Sequence, residues 1–276
     1  MSLSQSEEHD KIARMCVPFF PCRARMSFNI AALLFLIVAM TGHISAAETT
    51  TKPEDIPAFL FNRGKNLSAF KAVMNVTTMN EVDKSRQDIK GFLLYRRPSD
   101  FRFQGLAAGG NTLFELVIKS NAFELYVPQE GKVIKGDREC FGRKFPDVAE
   151  IESLIPMVLL QWRDVRFDRV LSRDAEKMVV RITFQGRVWG ATLNSRNMNL
   201  LRLVRINPRG DIDLTADFGD FHQGADGWLP HKFEIVSPVG GWRTLAKISK
   251  IEINPFLVEK NFQIDPTFSV KTEICR

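Results

Sequence analysis

One short stretch, Phe221-His-Gln-Gly-Ala-Asp-Gly-Trp-Leu-Pro-His231, holds every histidine found after position 47. His222 and His231, with Asp220 and Asp226 beside them, are the residue types that ligate zinc. Their spacing matches no standard zinc pattern and both histidines flank a turn, so no metal is expected there. Cys140 and Cys275 could supply thiolates, yet no Cys–His arrangement is apparent to activate either one. G-x-S-x-G, H-E-x-x-H and phosphate-binding glycine loops are all absent from the sequence. The expectation is a non-enzyme without a cofactor. Arg97 poses a different chemical question. It stands in Gly91-Phe-Leu-Leu-Tyr-Arg-Arg-Pro-Ser-Asp-Phe-Arg-Phe103, an apolar run with a period of two. A guanidinium on a greasy surface is costly unless paired. Backbone carbonyls freed at a helix break or a helix end are natural acceptors. The alternative is that it snorkels to solvent at the strand end.

The elements that must position these residues are mostly strands. Period-two segments run over Ala72–Met79, Ile89–Arg97, Phe101–Leu106, Thr112–Lys119 and Ala122–Val127, with Lys132–Lys135 a further strand or loop. They resume at Val165–Leu171, Met178–Phe184, Val188–Leu193, Leu200–Ile206, Ile212–Phe218, Trp228–Val236 and Trp242–Ile253. Short joins rich in Gly, Asn, Asp and Pro require antiparallel neighbours. Asp55 is placed to cap a helix over Ile56–Phe70, weakened at Gly64. Asp147–Trp162 reads as a second helix: Ile151, Leu154, Ile155, Val158, Leu159 and Trp162 fall on one face. Pro156 interrupts it and should kink or split it. It is either a core helix with a defect or a hinged cover over the sheet. About a dozen antiparallel strands do not stay flat, so the sheet should curl into an incomplete barrel covered by two or three helices.

The chain has 276 residues, 45% hydrophobic and 25% charged, which are globular proportions. The net charge of +6 is too diffuse to argue for nucleic acid and permits attraction to anionic lipid headgroups. Phe28–Met40 is a short apolar run behind Arg23 and Arg25, followed by Ser45-Ala46-Ala47. This reads as a secretory signal over 1–47, cleaved after Ala47, leaving one domain over 48–276. An uncleaved anchor and a start at Met15 are the alternatives. Cys16 and Cys22 lie in the leader; Cys140 and Cys275 would remain, either bridged in an oxidising compartment or as free thiols. Such an exported compartment is most simply a bacterial periplasm. There the sequons at Asn66 and Asn75 read as chance.

Alternation also predicts which face is greasy. Ile212, Leu214, Ala216 and Phe218 oppose Asp211, Asp213, Thr215 and Asp217. Phe114, Leu116 and Ile118 share a face, as do Phe123, Leu125 and Val127, and as do Leu93, Tyr95, Arg97, Phe101 and Phe103. With 22 Phe against 2 Tyr, the lining lacks polar handles. Such an interior suits acyl chains, although an ordinary filled core fits the pattern equally.

The segment Gly91-Phe-Leu-Leu-Tyr-Arg-Arg97-Pro98, followed by Phe101, resembles the LolA/LolB superfamily of periplasmic lipoprotein carriers and receptors. So do the Tyr126–Pro128 strand end, Gly227-Trp-Leu-Pro230, and the closing Asn254, Phe262 and Pro266. The resemblance spans most of the chain after the leader. It implies a half-barrel whose helical cover lifts to admit lipoprotein acyl chains, with Arg97 holding the closed form by bonding to the covering helix. Two features depart from receptor members: there is no acylated N-terminal cysteine, and the tip of Leu106–Asn111 carries glycine where they expose leucine.

The resulting expectation is a monomer that binds lipid acyl chains or lipoproteins, with transient membrane contact and no nucleic acid, in outer-membrane lipoprotein or lipid trafficking. Its cavity would be lined by Leu93, Tyr95, Phe101, Phe103, Phe114, Leu116, Ile118, Phe123 and Leu125, under the helix face named above. The alternative is a periplasmic sensing or scaffolding module that holds an envelope protein, as anti-sigma-factor regulators of this superfamily do. Cargo identity, and carrier against receptor role, are not set by the sequence.

Overall fold

Tight joins between period-two segments fold each strand back on its predecessor, and the computed structural model shows the outcome. It describes residues 55–62, 64–158, 162, 165–224, 227–265 and 270–275. The leader predicted over 1–47 therefore lies outside the described residues. After helix α1 (Ile56–Asn62) comes a meander of β1 (Ala69–Asn80), β2 (Arg86–Arg96), β3 (Asp100–Leu106), β4 (Thr112–Lys119), β5 (Ala122–Val127) and β6 (Lys132–Asp137). Helices α2 (Arg138–Lys144) and α3 (Pro146–Val158) follow. A second meander runs through β7 (Val165–Arg173), β8 (Lys177–Phe184), β9 (Arg187–Asn194), β10 (Leu200–Ile206), β11 (Ile212–Gly224), β12 (Gly227–Ser237) and β13 (Trp242–Ile253). The short β14 (Lys271–Ile274) is last.

The first and last long strands join the two meanders. β1 pairs with β13 from Phe70↔Ile253 to Asn80↔Trp242. The product is one 14-stranded sheet, ordered β14-β6-β5-β4-β3-β2-β1-β13-β12-β11-β10-β9-β8-β7, which does not close. It is antiparallel as expected, except that β14 runs parallel to β6. This order has a consequence for the helices. β6 and β7 lie far apart in the sheet, so the connection between them must cross it. That connection carries α2 and α3.

Both buried clusters are built from the apolar face of this sheet. One gathers Val180, Ile182, Trp189, Leu203, Leu214 and Ala216 with Ile56 and Leu60 of α1 and Leu154 and Met157 of α3. The other gathers Phe70, Leu93, Tyr95, Phe101, Leu116, Ile118 and Phe123 with Cys140 and Phe141 of α2, and Ile155 of α3 packs on it. Helix α3 thus straddles the two. Among the described residues no helix is long and apolar enough to cross a membrane.

Several expectations need correction. Helix α1 ends at Asn62 rather than Phe70, because Gly64 turns the chain at φ 67 and the sheet takes Phe70 into its core. Helix α2 was not foreseen. It is seven residues long, and its start is fixed by Asp137, whose carboxylate accepts from the Cys140 amide at 2.8 Å. Helix α3 starts one residue earlier than predicted and contains Pro156. Leu159, assigned to its apolar face, lies outside the described residues. Ile212, expected on the buried face, is half exposed because the β10–β11 register shifts beside it.

Candidate functional site

Between α3 and the sheet lies a cavity of about 160 Å³. Its floor is Phe70, Met74 and Val76 of β1, Leu93 of β2, Phe101 and Phe103 of β3, and Phe114 and Leu116 of β4. Ile89 of β2, Phe233 and Ile235 of β12 and Ala246 and Ile248 of β13 also line it. Its roof is Val148, Ile151, Leu154, Ile155 and Val158 of α3. Among the described residues the hydroxyls in the lining belong to Thr78 and Thr244, which lie 3.4 Å from each other across neighbouring strands. The cavity therefore offers an incoming group dispersion and desolvation and almost nothing polar.

The structure brings Leu93, Phe101, Phe103, Phe114 and Leu116 to this cavity as the strand parity predicts. Tyr95, Ile118, Phe123 and Leu125 share the face but not the cavity. Tyr95 is buried at the strand end, where its hydroxyl donates to the Pro98 carbonyl at 3.1 Å. Ile118, Phe123 and Leu125 belong to the cluster that α2 covers, and the Phe123 ring lies 5.1 Å from that of Phe141. The unforeseen helix consumes that part of the floor. On the roof, Ile151, Leu154, Ile155 and Val158 line the cavity. Trp162 is buried elsewhere, in a recess with Leu60, Phe61, Val165, Phe167 and Ile182.

A pair of glycines shapes the floor. Gly91 and Gly105 face each other across β2 and β3. A Cβ on Gly91 would sit 2.5 Å from Phe103 Cε2, and one on Gly105 would sit 2.7 Å from Phe114 Cε1. The two rings, 5.8 Å apart, occupy the space that the missing side chains leave. Gly91→Ala should therefore swing the Phe103 ring toward the cavity. The expected result is acyl-probe affinity reduced about tenfold, equivalent to about 1.4 kcal/mol, with cooperative unfolding retained. Unchanged affinity in a probe titration would refute this role for Gly91.

The roof is fastened by charges that the sequence reading did not identify. Glu150 of α3 accepts from Arg187 at 2.8 Å and also bonds Arg205. Arg205 is the deeper partner: its side chain is 10% exposed, its Nε donates to Asp213 at 2.7 Å, and its guanidinium lies over the Trp189 ring. Burial opposes its charge, and the bonds to Asp213 and Glu150 more than offset this, raising its pKa. Glu152 is held by a fork from Arg138 of α2 at 3.0 and 3.1 Å. Asp147 sits at the start of α3. Burial pushes its carboxyl up, and a hydrogen bond involving Trp242 acts the other way.

Arg97 does have backbone acceptors, but not at Pro156. Its guanidinium donates to the Gly64 carbonyl at 2.6 Å and the Lys65 carbonyl at 3.1 Å, in the turn behind α1. Its own amide donates to Ser68 at 2.9 Å. It therefore ties the end of β2 to the α1–β1 turn. The acceptors are turn carbonyls beyond the helix end, and the Gly64 carbonyl also accepts from the Leu67 amide at 3.0 Å.

The two histidines lie side by side. The rings of His222 and His231 stack with centroids 3.9 Å apart, and His222 Nε2 lies 3.0 Å from Asp220. Burial, then the neighbouring His222, lowers the His231 pKa. Asp226 lies outside the described residues. Among the described residues no group of three or more His, Cys, Asp or Glu is placed to hold a metal ion.

No family model matches the chain, and no curated protein sequence matches it. Solved structures do share its fold. A LolA superfamily protein from Nitrosomonas europaea superposes with a TM-score of 0.56 at 13% identity, covering 77% of this chain and 97% of that one. An outer membrane lipoprotein-sorting protein domain from Vibrio parahaemolyticus gives 0.53 at 13% identity, covering 78% and 96%. A DUF1329 family protein from Desulfovibrio piger gives 0.56 at 10% identity, covering 77% and 98%. The described chain has the LolA-type fold.

Proposed function

We propose that this protein binds the acyl chains of lipids or lipoproteins in the periplasm, acting in lipid or lipoprotein trafficking rather than as an enzyme. The observation that carries this reading is the vacant, apolar volume between the sheet and α3. A cavity near 150 Å³ lined by aliphatic and aromatic groups stays dry and takes a benzene-sized guest. The closed state therefore admits only a fragment of an acyl chain, and a whole chain requires α3 to lift. The physics makes that exchange feasible. The roof residues Ile151, Leu154, Ile155 and Val158 and an incoming chain would bury against the same floor. A sixteen-carbon chain offers roughly 10 kcal/mol of gross burial, at ~0.8 kcal/mol per CH₂. Near balance between helix and cargo lets the cargo leave again.

The disulfide joining Cys140 to Cys275 fits an oxidising compartment. In this reading residues 1–47 are the export signal and 48–276 the binding domain. The test is direct. Delipidated protein should bind a fluorescent fatty-acyl probe at micromolar concentration, with displacement by unlabelled palmitate. Failure to bind the probe, or binding that palmitate does not compete, would overturn the proposal.

A further inference from the structure

The loop after β13 reads Asn254-Pro-Phe-Leu-Val-Glu-Lys-Asn-Phe262, and it presents an aromatic side chain to solvent. Phe256 is 92% exposed and Val258 is 43% exposed. Flexibility does not account for this, because the loop is braced on both sides of the tip. Asn254 stands at φ 52, and its side-chain oxygen accepts from the Ser68 amide at 2.7 Å and the Ala69 amide at 3.2 Å. Its side-chain nitrogen donates to the Asn66 carbonyl at 2.9 Å. Beyond the tip, Arg96 donates to the Leu257 carbonyl at 3.3 Å and Asn261 accepts from the Val258 amide at 2.8 Å. A phenyl ring fixed outward on so many backbone anchors is placed to enter something.

We infer that this tip inserts into the surface of an anionic phospholipid bilayer, independently of the α3 cavity. Charge favours that occupant. The one acid on the loop, Glu259, is already bonded by Arg96 and Lys119. Lys260 on the loop and Lys65 in the turn that Asn254 grips have no ion-pair partner among the described residues. Area points the same way. A stable protein interface needs roughly 800 Å² per partner, and a single ring with one neighbouring valine supplies far less. Shallow interfacial insertion has no such area threshold: it grows with the apolar area buried and with each cation near the surface. The tip also lies at the opposite end of the strands from the glycine-rich Leu106–Asn111 hairpin. Ile253 pairs beside Phe70 at the end of the sheet where Arg96 meets Asp100, and Leu106 ends β3 at the other.

Co-flotation of the full-length protein with vesicles of phosphatidylglycerol and phosphatidylcholine tests the inference. Wild-type protein should float with these vesicles and far less with pure phosphatidylcholine. Phe256→Ser should lower the bound fraction about tenfold while leaving acyl-probe binding unchanged, which separates this site from the cavity. The charge-removing pair Lys65→Gln and Lys260→Gln should abolish the preference for anionic vesicles. Val82→Ser, which alters another largely exposed apolar residue in the β1–β2 turn, should have no effect. Equal flotation of Phe256→Ser and wild type, or loss through Val82→Ser instead, would overturn it.

Discussion

Glu150→Gln should tighten binding of an acyl probe by roughly ten- to a hundredfold. The argument runs through the empty state. When a site is open only a fraction of the time, the apparent Kd is the intrinsic Kd divided by that fraction. Anything that weakens closure therefore strengthens binding, provided the floor is untouched. Glu150 ion-pairs α3 to the second meander, through Arg187 and Arg205. The Arg187 arm is half exposed and contributes little. The Arg205 arm is the substantial one, because that guanidinium is nine-tenths buried and Glu150 is itself only 22% exposed. Hydrogen bonds to charged groups contribute about 1.5–3 kcal/mol each, which sets the size of the effect. Asp213 continues to partner Arg205 in the variant, so no unpaired charge is left inside and the fold should survive. The glutamine also keeps the shape of the roof. A stopped-flow titration should show faster probe entry together with the lower Kd. Unchanged or weaker binding would mean that α3 is a fixed part of the core and not a cover.

Arg205 also shows what the sequence did and did not disclose. Strand spacing, hairpin joins and inward parity are legible from period-two alternation, and Leu93, Phe101, Phe103, Phe114 and Leu116 all line the floor of the cavity under α3. The same alternation puts Arg205 on the inward side of β10, two residues after Leu203, where a charge demands a partner. That signal was available, but its partner Glu150 lies 55 positions away and nothing local points to it. Helix α2 escaped notice because seven residues are too few for a 3.6 period to declare itself. Its marks were Asp137 and Glu139 at the start and Arg143 and Lys144 at the end. Missing it assigned Ile118, Phe123 and Leu125 to the cavity when Phe141 and Phe145 already cover that floor. Arg97 was legible as a residue that needs carbonyls, while the turn that supplies them, Gly64 and Lys65, forms only because α1 stops at Asn62.

The Cys140→Ser, Cys275→Ser double variant should lose about 10–20 °C in Tm. The bridge spans 135 positions with Cα atoms 6.0 Å apart. On the chain-entropy model, closing a loop of that length stabilises by about 5 kcal/mol. For a domain of this size each kcal/mol moves Tm by about 2–4 °C. The loss should be greatest where the bridge does the most local fastening. β14 has only four residues paired to β6, and its further ties include the Lys271 amide on the Gly131 carbonyl at 2.9 Å, the Cys275 amide on the Lys135 carbonyl at 2.7 Å, and ion pairs from Lys144 and Lys132 to Glu273. Exposed pairs of this kind contribute little, so in the variant Lys271–Ile274 should exchange amide hydrogens well before the rest of the sheet. The effect reaches the roof as well. Cys140 sits on α2, and α2 carries the Arg138 fork that grips Glu152 of α3. Freeing α2 from the sheet edge loosens a second anchor of the cover, on the side away from Arg205. Probe affinity should therefore rise several-fold in the double variant even as Tm falls, and combining it with Glu150→Gln should compound the gain. A variant that loses stability with no change in probe affinity would confine the bridge to the sheet edge and detach it from the movement of α3.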